Sequence, residues 1–222
     1  MQKPHSALLI GATGLCGQQL LSQLLESELY QTVEIWVRKP TGITHPKLTE
    51  RTVDFSHIDT INCVGIHHVF CALGTTIKQA KTQQMFYTID HDYVLACGRA
   101  AEKMQADMFL YISSMGANKR SGNFYLRTKG MVEDSLSTLS IPSIVLFRPS
   151  MLLGKRKEFR LGEKIGNGIM KAIGFMMIGS LKKYRGIQAT TVARAMLYAA
   201  QQDVKGTSIF ESDIMQQMGK ND

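Results

Sequence analysis

Cysteine is scarce in this sequence and poorly spaced for chemistry. The four present, Cys16, Cys63, Cys71 and Cys97, form no CxxC pair, and the six histidines show no HxxxH spacing. Neither a disulfide framework nor a zinc site is indicated, and unpaired thiols of this kind fit a reducing compartment. Long apolar runs are missing too. The longest, Ala172–Gly179, falls far short of the ~20 residues that a membrane span needs. No Pro/Gly/Ser-rich linker divides the chain, and no internal repeat or low-complexity tract is visible. The apolar stretch Ala7–Ile10 near the N-terminus runs straight into Gly11-Ala12-Thr13-Gly14 without a small-residue cleavage region, so it reads as a strand rather than a signal peptide. The expectation from these absences is a soluble, cytoplasmic protein.

What is present is ordinary globular composition, with 44% hydrophobic and 20% charged residues in 222, which excludes disordered and fibrous classes. The length predicts one domain spanning 1–222. The formal net charge is +8, from 26 basic and 18 acidic residues, and its distribution is uneven. Residues 155–185 hold nine basic side chains and two acidic ones, leaving the rest of the chain nearly balanced. No recognition helix or aromatic–basic motif accompanies this charge, so specific nucleic-acid binding is not expected.

Short apolar runs alternate with helical patterns. Ala7–Ile10, Val33–Val37, Thr52–Phe55, His68–Leu73, Phe109–Ile112 and Ile144–Phe147 read as six strands, and Ser208–Phe210 as a short last one. Leu20, Leu21, Leu24 and Leu25 mark one helix face, and Ile89, Tyr93, Cys97, Ala100, Ala101 and Met104 another. Further helices are expected over Tyr125–Leu139 and Thr190–Gln201, with Met215 and Met218 in a frayed tail. Such alternation builds βαβ units, and hence an α/β, doubly wound parallel sheet in the order 3-2-1-4-5-6.

In such a sheet, ligands bind beyond the carboxyl ends of the strands, beside the first strand. Gly11-Ala12-Thr13-Gly14-Leu15-Cys16-Gly17 lies at that corner, follows an apolar strand and opens an amphipathic helix. Glycines let the backbone approach a pyrophosphate, and the helix N-terminus offers N–H groups and the positive end of its dipole. Cys16 reads as packing beneath the cofactor, with a thiol sensitive to oxidation as the alternative. The second strand ends in Arg38-Lys39, where an NAD-specific site carries an acidic residue for the ribose 2′-hydroxyl. A guanidinium there grips a 2′-phosphate, so NADP(H) is the expected cofactor, against the plainer reading of two surface charges. Asp54 is either an acceptor for the adenine amino group or a solvated turn residue. Leu73 and Gly74, closing the fourth strand, give a turn against which the adenosine ribose can pack.

Tyr125 and Lys129 form a YxxxK pair, one helical turn apart on a shared face. A neighbouring cation brings a phenol down from its ordinary value near ~10 and makes proton exchange accessible. Ser113 and Ser114 end the fifth strand, and a hydroxyl there can hold a carbonyl oxygen; the choice between them is open. The expected division of labour has Tyr125 exchanging the proton, a serine orienting the oxygen, and Lys129 binding the nicotinamide ribose. His67-His68 read as a partly exposed strand entry, and His91 and Asp92 as surface or helix-packing residues.

With these residues in view, the chain resembles the atypical short-chain dehydrogenases/reductases, and among them the small oxidoreductases named after the HIV Tat-interacting protein and their bacterial relatives. The blocks that carry the likeness are Leu9–Gly17, Trp36–Lys39, Val53–Phe55, Phe70–Thr76, Asp90–Leu95, Ile112–Ala117, Asn123–Gly130, Phe147–Ser150 and Val192–Leu197. The resemblance implies a Rossmann-type NAD(P)-binding fold. By matching position it implies cofactor contacts at Thr13, Gly14, Leu15, Cys16, Arg38, Lys39, Leu73, Gly74, Tyr125, Lys129, Leu152 and Arg160, with Tyr125 as acid/base. The implied activity is NADP(H)-dependent oxidation or reduction of a small-molecule carbonyl/alcohol substrate, with a non-catalytic NADPH-binding sensor as the rival. A monomer or a homodimer is expected.

Segment 155–185 mixes its charges with an apolar stripe that includes Ile165, Ile169, Met170 and Met177. It reads as a C-terminal cap over the substrate with Arg160 facing the cofactor, as a basic helix on an anionic membrane, or as a solvated charged helix. The cofactor expectation is tested by measuring NADPH and NADH affinity before and after Arg38→Asp. The unaltered protein should prefer NADPH and the variant should lose that preference; equal affinities in the unaltered protein would refute it.

Overall fold

The computed structural model describes residues 5–61, 64–154 and 185–219. Most of the cap segment, 155–184, with Arg160, therefore lies outside the described residues. Strand β1 (His5–Ile10) leads into helix α1 (Leu15–Glu26), then β2 (Tyr30–Val37), β3 (Leu48–Thr52), a short 3₁₀ helix (Phe55–Thr60) and β4 (His68–Cys71). Helices α2 (Ile77–Ala80) and α3 (Gln83–Tyr87) follow, then a π-helical turn (Thr88–Asp92) that runs into α4 (Tyr93–Lys103). The chain continues through β5 (Met108–Ile112), α5 (Phe124–Leu136), β6 (Ser143–Arg148) and β7 (Leu152–Leu153). Beyond residue 184 come β8 (Ile187–Gln188), α6 (Ala189–Ala199), β9 (Gly206–Glu211) and α7 (Ser212–Met218).

Among the described residues the main sheet runs β3-β2-β1-β4-β5-β6-β9, and every pairing in it is parallel. This is the doubly wound order expected, extended by β9 at the edge beside β6. The period of two in β1 sorts its side chains between two cores. Ala7 and Leu9 face α1 and α6, whereas Leu8 and Ile10 face α4 and α5. Burial on both faces explains why the central strands read as continuous apolar runs.

Three expectations change. The third strand lies earlier, at Leu48–Thr52, and Asp54 caps the 3₁₀ helix that follows it. The strand is weakly apolar (Leu-Thr-Glu-Arg-Thr) because it sits at the sheet edge and half faces solvent, which removes the pattern that would reveal it. The tail is not frayed: it is helix α7, and Met215 is fully buried against α6 and the α1 side of the core. His68 is buried rather than half-exposed, stacked on His5 with its Nδ1 2.7 Å from the Tyr30 hydroxyl. Burial, with His5 and His67 nearby, pushes its pKa down to about 4, so it is neutral at neutral pH.

One glycine fixes where α5 sits. A Cβ on Gly130 would lie 2.2 Å from the Lys119 backbone nitrogen and 2.3 Å from the Asn118 carbonyl carbon. The helix carrying Tyr125 and Lys129 thus presses directly on the loop that follows Ser113-Ser114. Gly130→Ala should cost about 1–3 kcal/mol through this collision, although alanine in an open helix would add up to ~1 kcal/mol of helix propensity. Urea unfolding followed through Trp36, the single, buried tryptophan, measures the change; unchanged or increased stability would contradict the close contact.

Candidate cofactor and active site

The β1–α1 loop shows why glycines stand where they do. Gly11 has φ +86°, and a Cβ there would come within 2.6 Å of the Ala72 carbonyl oxygen at the end of β4. A Cβ on Gly17 would lie 2.0 Å from the Gly11 carbonyl oxygen. The loop is therefore folded tightly over its own helix start, with Gly14 N–H donating to Gly11 O at 3.0 Å and Gln18 holding the Thr13 carbonyl at 3.0 Å. Gly14 caps α1 without a side-chain acceptor, and no acidic residue occupies the first turn. Thr13 and Gly14 are exposed while Cys16 is packed into the core beneath. An exposed, uncapped, positively polarised helix start fits an anionic diphosphate.

Beside this loop, the carboxyl ends of β2 and β3 open into a cleft of about 510 Å³ lined by Arg38, Thr52, Val53, Asp54, Phe55, Met85, Ile89 and Tyr93. Arg38 and Asp54 thus share one cleft; Lys39 is exposed next to Arg38 but does not line it. Asp54 is already engaged. Its Oδ1 accepts from the Ser56 N–H at 2.9 Å and the Ser56 hydroxyl at 2.6 Å, and its Oδ2 lies 3.0 Å from His57 Nδ1. These hydrogen bonds from Ser56, followed by the one from His57, hold the carboxyl down at about 2. Of the two readings offered for Asp54, the turn residue describes its present contacts. On the far side of the loop, Leu152 in β7 and Leu15 pack on the same core, and a Cβ on Gly154 would lie 2.8 Å from Leu15.

The reactive end lies where β4, β5 and α5 converge. Tyr125 is half-buried in the first turn of α5, its ring 5.5 Å from that of Phe86. One turn on, the Lys129 side chain is only 4% exposed. Its ammonium donates to the Tyr111 hydroxyl at 2.8 Å and lies 2.8 Å from Asp90 Oδ1. Burial alone pulls this ammonium's pKa down, but the Tyr111 oxygen, the Asp90 carboxylate and Tyr125 more than offset it, so Lys129 is held well above the ordinary lysine range. Burial raises the Tyr111 phenol in turn, despite the opposing pull of Lys129. Asp90 is fully buried, and its Oδ2 also accepts the Thr75 N–H at 2.8 Å, which ties the loop after β4 to the same carboxylate. Gly74 roofs this group: a Cβ there would stand 3.2 Å from Asp90 Oδ1 and 3.6 Å from Lys129 Nζ. Any side chain there would press on the Asp90–Lys129 pair.

The two serines differ. Ser113 is buried, its N–H continues the ladder to Phe147 O at 2.7 Å, and its hydroxyl is sealed in without a partner among the described residues. Ser114 is half-buried, with its hydroxyl making a single long bond to Met115 O at 3.3 Å. Of the two hydroxyls, only that of Ser114 belongs to a residue with appreciable exposure.

Asp90 and Tyr111 carry no sequence signal of a site, and a 3.6-residue period places Ile89 and Tyr93 on the helix stripe with Cys97. The π-helical turn at Thr88–Asp92 breaks that period. An extra residue in the turn rotates the face, so Asp90 and His91 are buried while Ile89 and Tyr93 turn to the cleft. The Asp90–Leu95 block was visible in the family resemblance, but no role was attached to it.

The comparisons with known proteins agree with this architecture. A family described as NAD(P)H-binding matches residues 11–144. The chain is 32% identical over 200 residues to "Protein FMP52, mitochondrial" of Debaryomyces hansenii, covering 88% of this chain and 87% of that protein. It is likewise 32% identical over 197 residues to "Protein HTATIP2" of Rattus norvegicus, covering 86% and 79%. Among solved structures, the Bordetella bronchiseptica enzyme WbmH in complex with NAD+ superposes with a TM-score of 0.69 at 17% identity, over 95% of this chain and 76% of that one, a likeness of fold. The names of the FMP52 relatives overturn the expectation of a cytoplasmic protein. That expectation rested on unpaired thiols and on the absence of a long apolar run and a signal-peptide pattern, none of which separates the cytosol from another reducing compartment. The chain belongs to the NAD(P)H-binding family, among the atypical short-chain dehydrogenases/reductases that include HTATIP2.

Proposed function

We propose that this protein is an NADP(H)-dependent oxidoreductase that interconverts a carbonyl and an alcohol, with Tyr125 as the proton-exchanging group. The observation that carries the reading is the buried Lys129 ammonium, one helical turn from Tyr125, with only the side-chain-free Gly74 packed over it at the strand ends. A structural lysine has no need of a glycine above its ammonium, and a pure nucleotide sensor needs no phenol beside it.

The residues divide the work as follows. The N–H groups at the start of α1, together with Thr13 and Gly14, hold the diphosphate. Leu15, Cys16 and Gly17 shape that turn, Leu73 and Leu152 flank the nucleotide, and Arg38 with Lys39 meets the 2′-phosphate. When bound, the nicotinamide supplies or accepts a hydride at its C4. Tyr125 gives its hydroxyl proton to the carbonyl oxygen in the reducing direction and takes it back in the oxidising one. Lys129 donates to the nicotinamide ribose and stabilises the phenolate left by proton transfer, a charge that water alone would stabilise less rigidly. Ser114 donates a hydrogen bond to the substrate oxygen and holds it in line with Tyr125; Ser113 supports the strand end behind it.

A panel of aldehydes and ketones, followed by loss of NADPH absorbance, tests the reading. Turnover should fall about 100-fold or more in Tyr125→Phe, the span that a positioned general acid contributes. Turnover that survives the substitution would remove Tyr125 from the reaction. Tight NADPH binding with no turnover on any carbonyl would return the sensor reading.

A further inference from the structure

The buried carboxylate of Asp90 is not explained by the division of labour above. A carboxylate and an ammonium taken wholly out of water are a poor way to gain stability. The desolvation of both ions consumes most of their attraction, and well-packed apolar residues of similar volume do as well or better. Yet here the pair sits at the carboxyl ends of the strands, at the one place where the chain also supplies a phenol, Tyr111, to the same ammonium. The π-helical turn is what aims Asp90 inward, and such turns are a recurrent feature of functional sites.

We infer that Asp90 is a positioning residue: through its contact with Lys129 it keeps that side chain charged and pointed beneath Gly74, and through its bond to the Thr75 N–H it locks the loop after β4 to the same point. The geometry supports each part. An ammonium has three N–H donors. Tyr111 takes one and Asp90 Oδ1 lies 2.8 Å away as an ion-pair partner, which leaves a donor for a ligand on the side where Gly74 carries no Cβ. The groups that face Lys129 are Asp90 from the π-helical turn, Tyr111 from β5 and Tyr125 from its own helix, with Cys71 of β4 behind Tyr111. Asp90 supplies the formal negative charge of that set, because burial keeps the Tyr111 phenol neutral. Without it, burial would push Lys129 toward its neutral amine, and both the ribose contact and the field at Tyr125 would weaken.

The kinetic half of this inference rests on the oxidoreductase reading; the titration half does not. The experiment therefore compares the unaltered protein, Asp90→Asn, Lys129→Met and the double variant. Asparagine keeps the shape and an acceptor for Thr75 while removing the charge. In the cofactor-free protein, the ¹⁵N signal of the Lys129 side chain should titrate above the ordinary lysine range in the unaltered protein and below it in Asp90→Asn. On any carbonyl that the panel identifies, kcat should fall about tenfold or more in Asp90→Asn and be unchanged by the same substitution in the Lys129→Met background, since a residue acting only through another shows full coupling. Should Asp90→Asn fail to fold, the double variant should fold, because it leaves no uncompensated ion. Lys129 titration unaltered by Asp90→Asn, an equal kcat loss in both backgrounds, or failure of both the single and the double variant to fold would each overturn the inference. A shifted titration with no turnover in any variant would leave Asp90 in its place and instead count against the oxidoreductase reading.

Discussion

A charged lysine, buried where the strands end, is the constraint around which the rest of the site is arranged. Lys129 is almost wholly enclosed, and an enclosed ammonium survives only with hydrogen-bond acceptors and a countercharge at close range. Satisfying it requires one residue from the interior of β5, one from the turn between α3 and α4, and a strand-end loop with no side chain above it. These parts come from segments far apart in the chain, and only the parallel sheet order brings them together. Tyr111 can reach Lys129 because α5 packs into the same core as Tyr111, and Gly130, without a Cβ, lets that helix press on the Asn118–Lys119 backbone.

The same economy of space governs the β1–α1 loop. Gly11 and Gly17 leave almost no gap between the β1–α1 loop, the end of β4 and the first turn of α1. That compactness lets Gly14 begin the helix with its N–H groups directed outward and without a side-chain cap. The β2 and β3 ends then diverge around the cleft that holds Arg38 and Asp54. The glycine loop, the Arg38–Asp54 cleft and Tyr125 thus all lie toward the carboxyl ends of the strands, where a doubly wound sheet binds its ligands.

The strand alternation was legible from apolar runs because the central strands are buried on both faces, and the parallel order followed from the alternation. The glycine loop, Arg38, Tyr125 and Lys129 were legible because their spacing is local: one loop, one strand end, one helical turn. What escaped has equally physical reasons. Strand β3 carries a polar edge pattern. Met215 is buried by tertiary packing that no local signal announces. Asp90 owes its inward aim to a π-helical turn that breaks the 3.6-residue period on which helix faces are read. Tyr111 looked like an ordinary strand aromatic, and its hydroxyl acquires meaning only from Lys129, eighteen residues later and on another element. The choice between Ser113 and Ser114 could not be made from adjacency; differing exposure separates them.

A crystal structure of the protein with NADP+ bound tests the central claim most directly. The account predicts the 2′-phosphate against Arg38, the diphosphate over Thr13–Gly14, and a nicotinamide-ribose hydroxyl within about 3.2 Å of Lys129 Nζ, with C4 facing Tyr125. A dinucleotide whose nicotinamide lies away from Tyr125, or whose ribose makes no contact with Lys129, would contradict it.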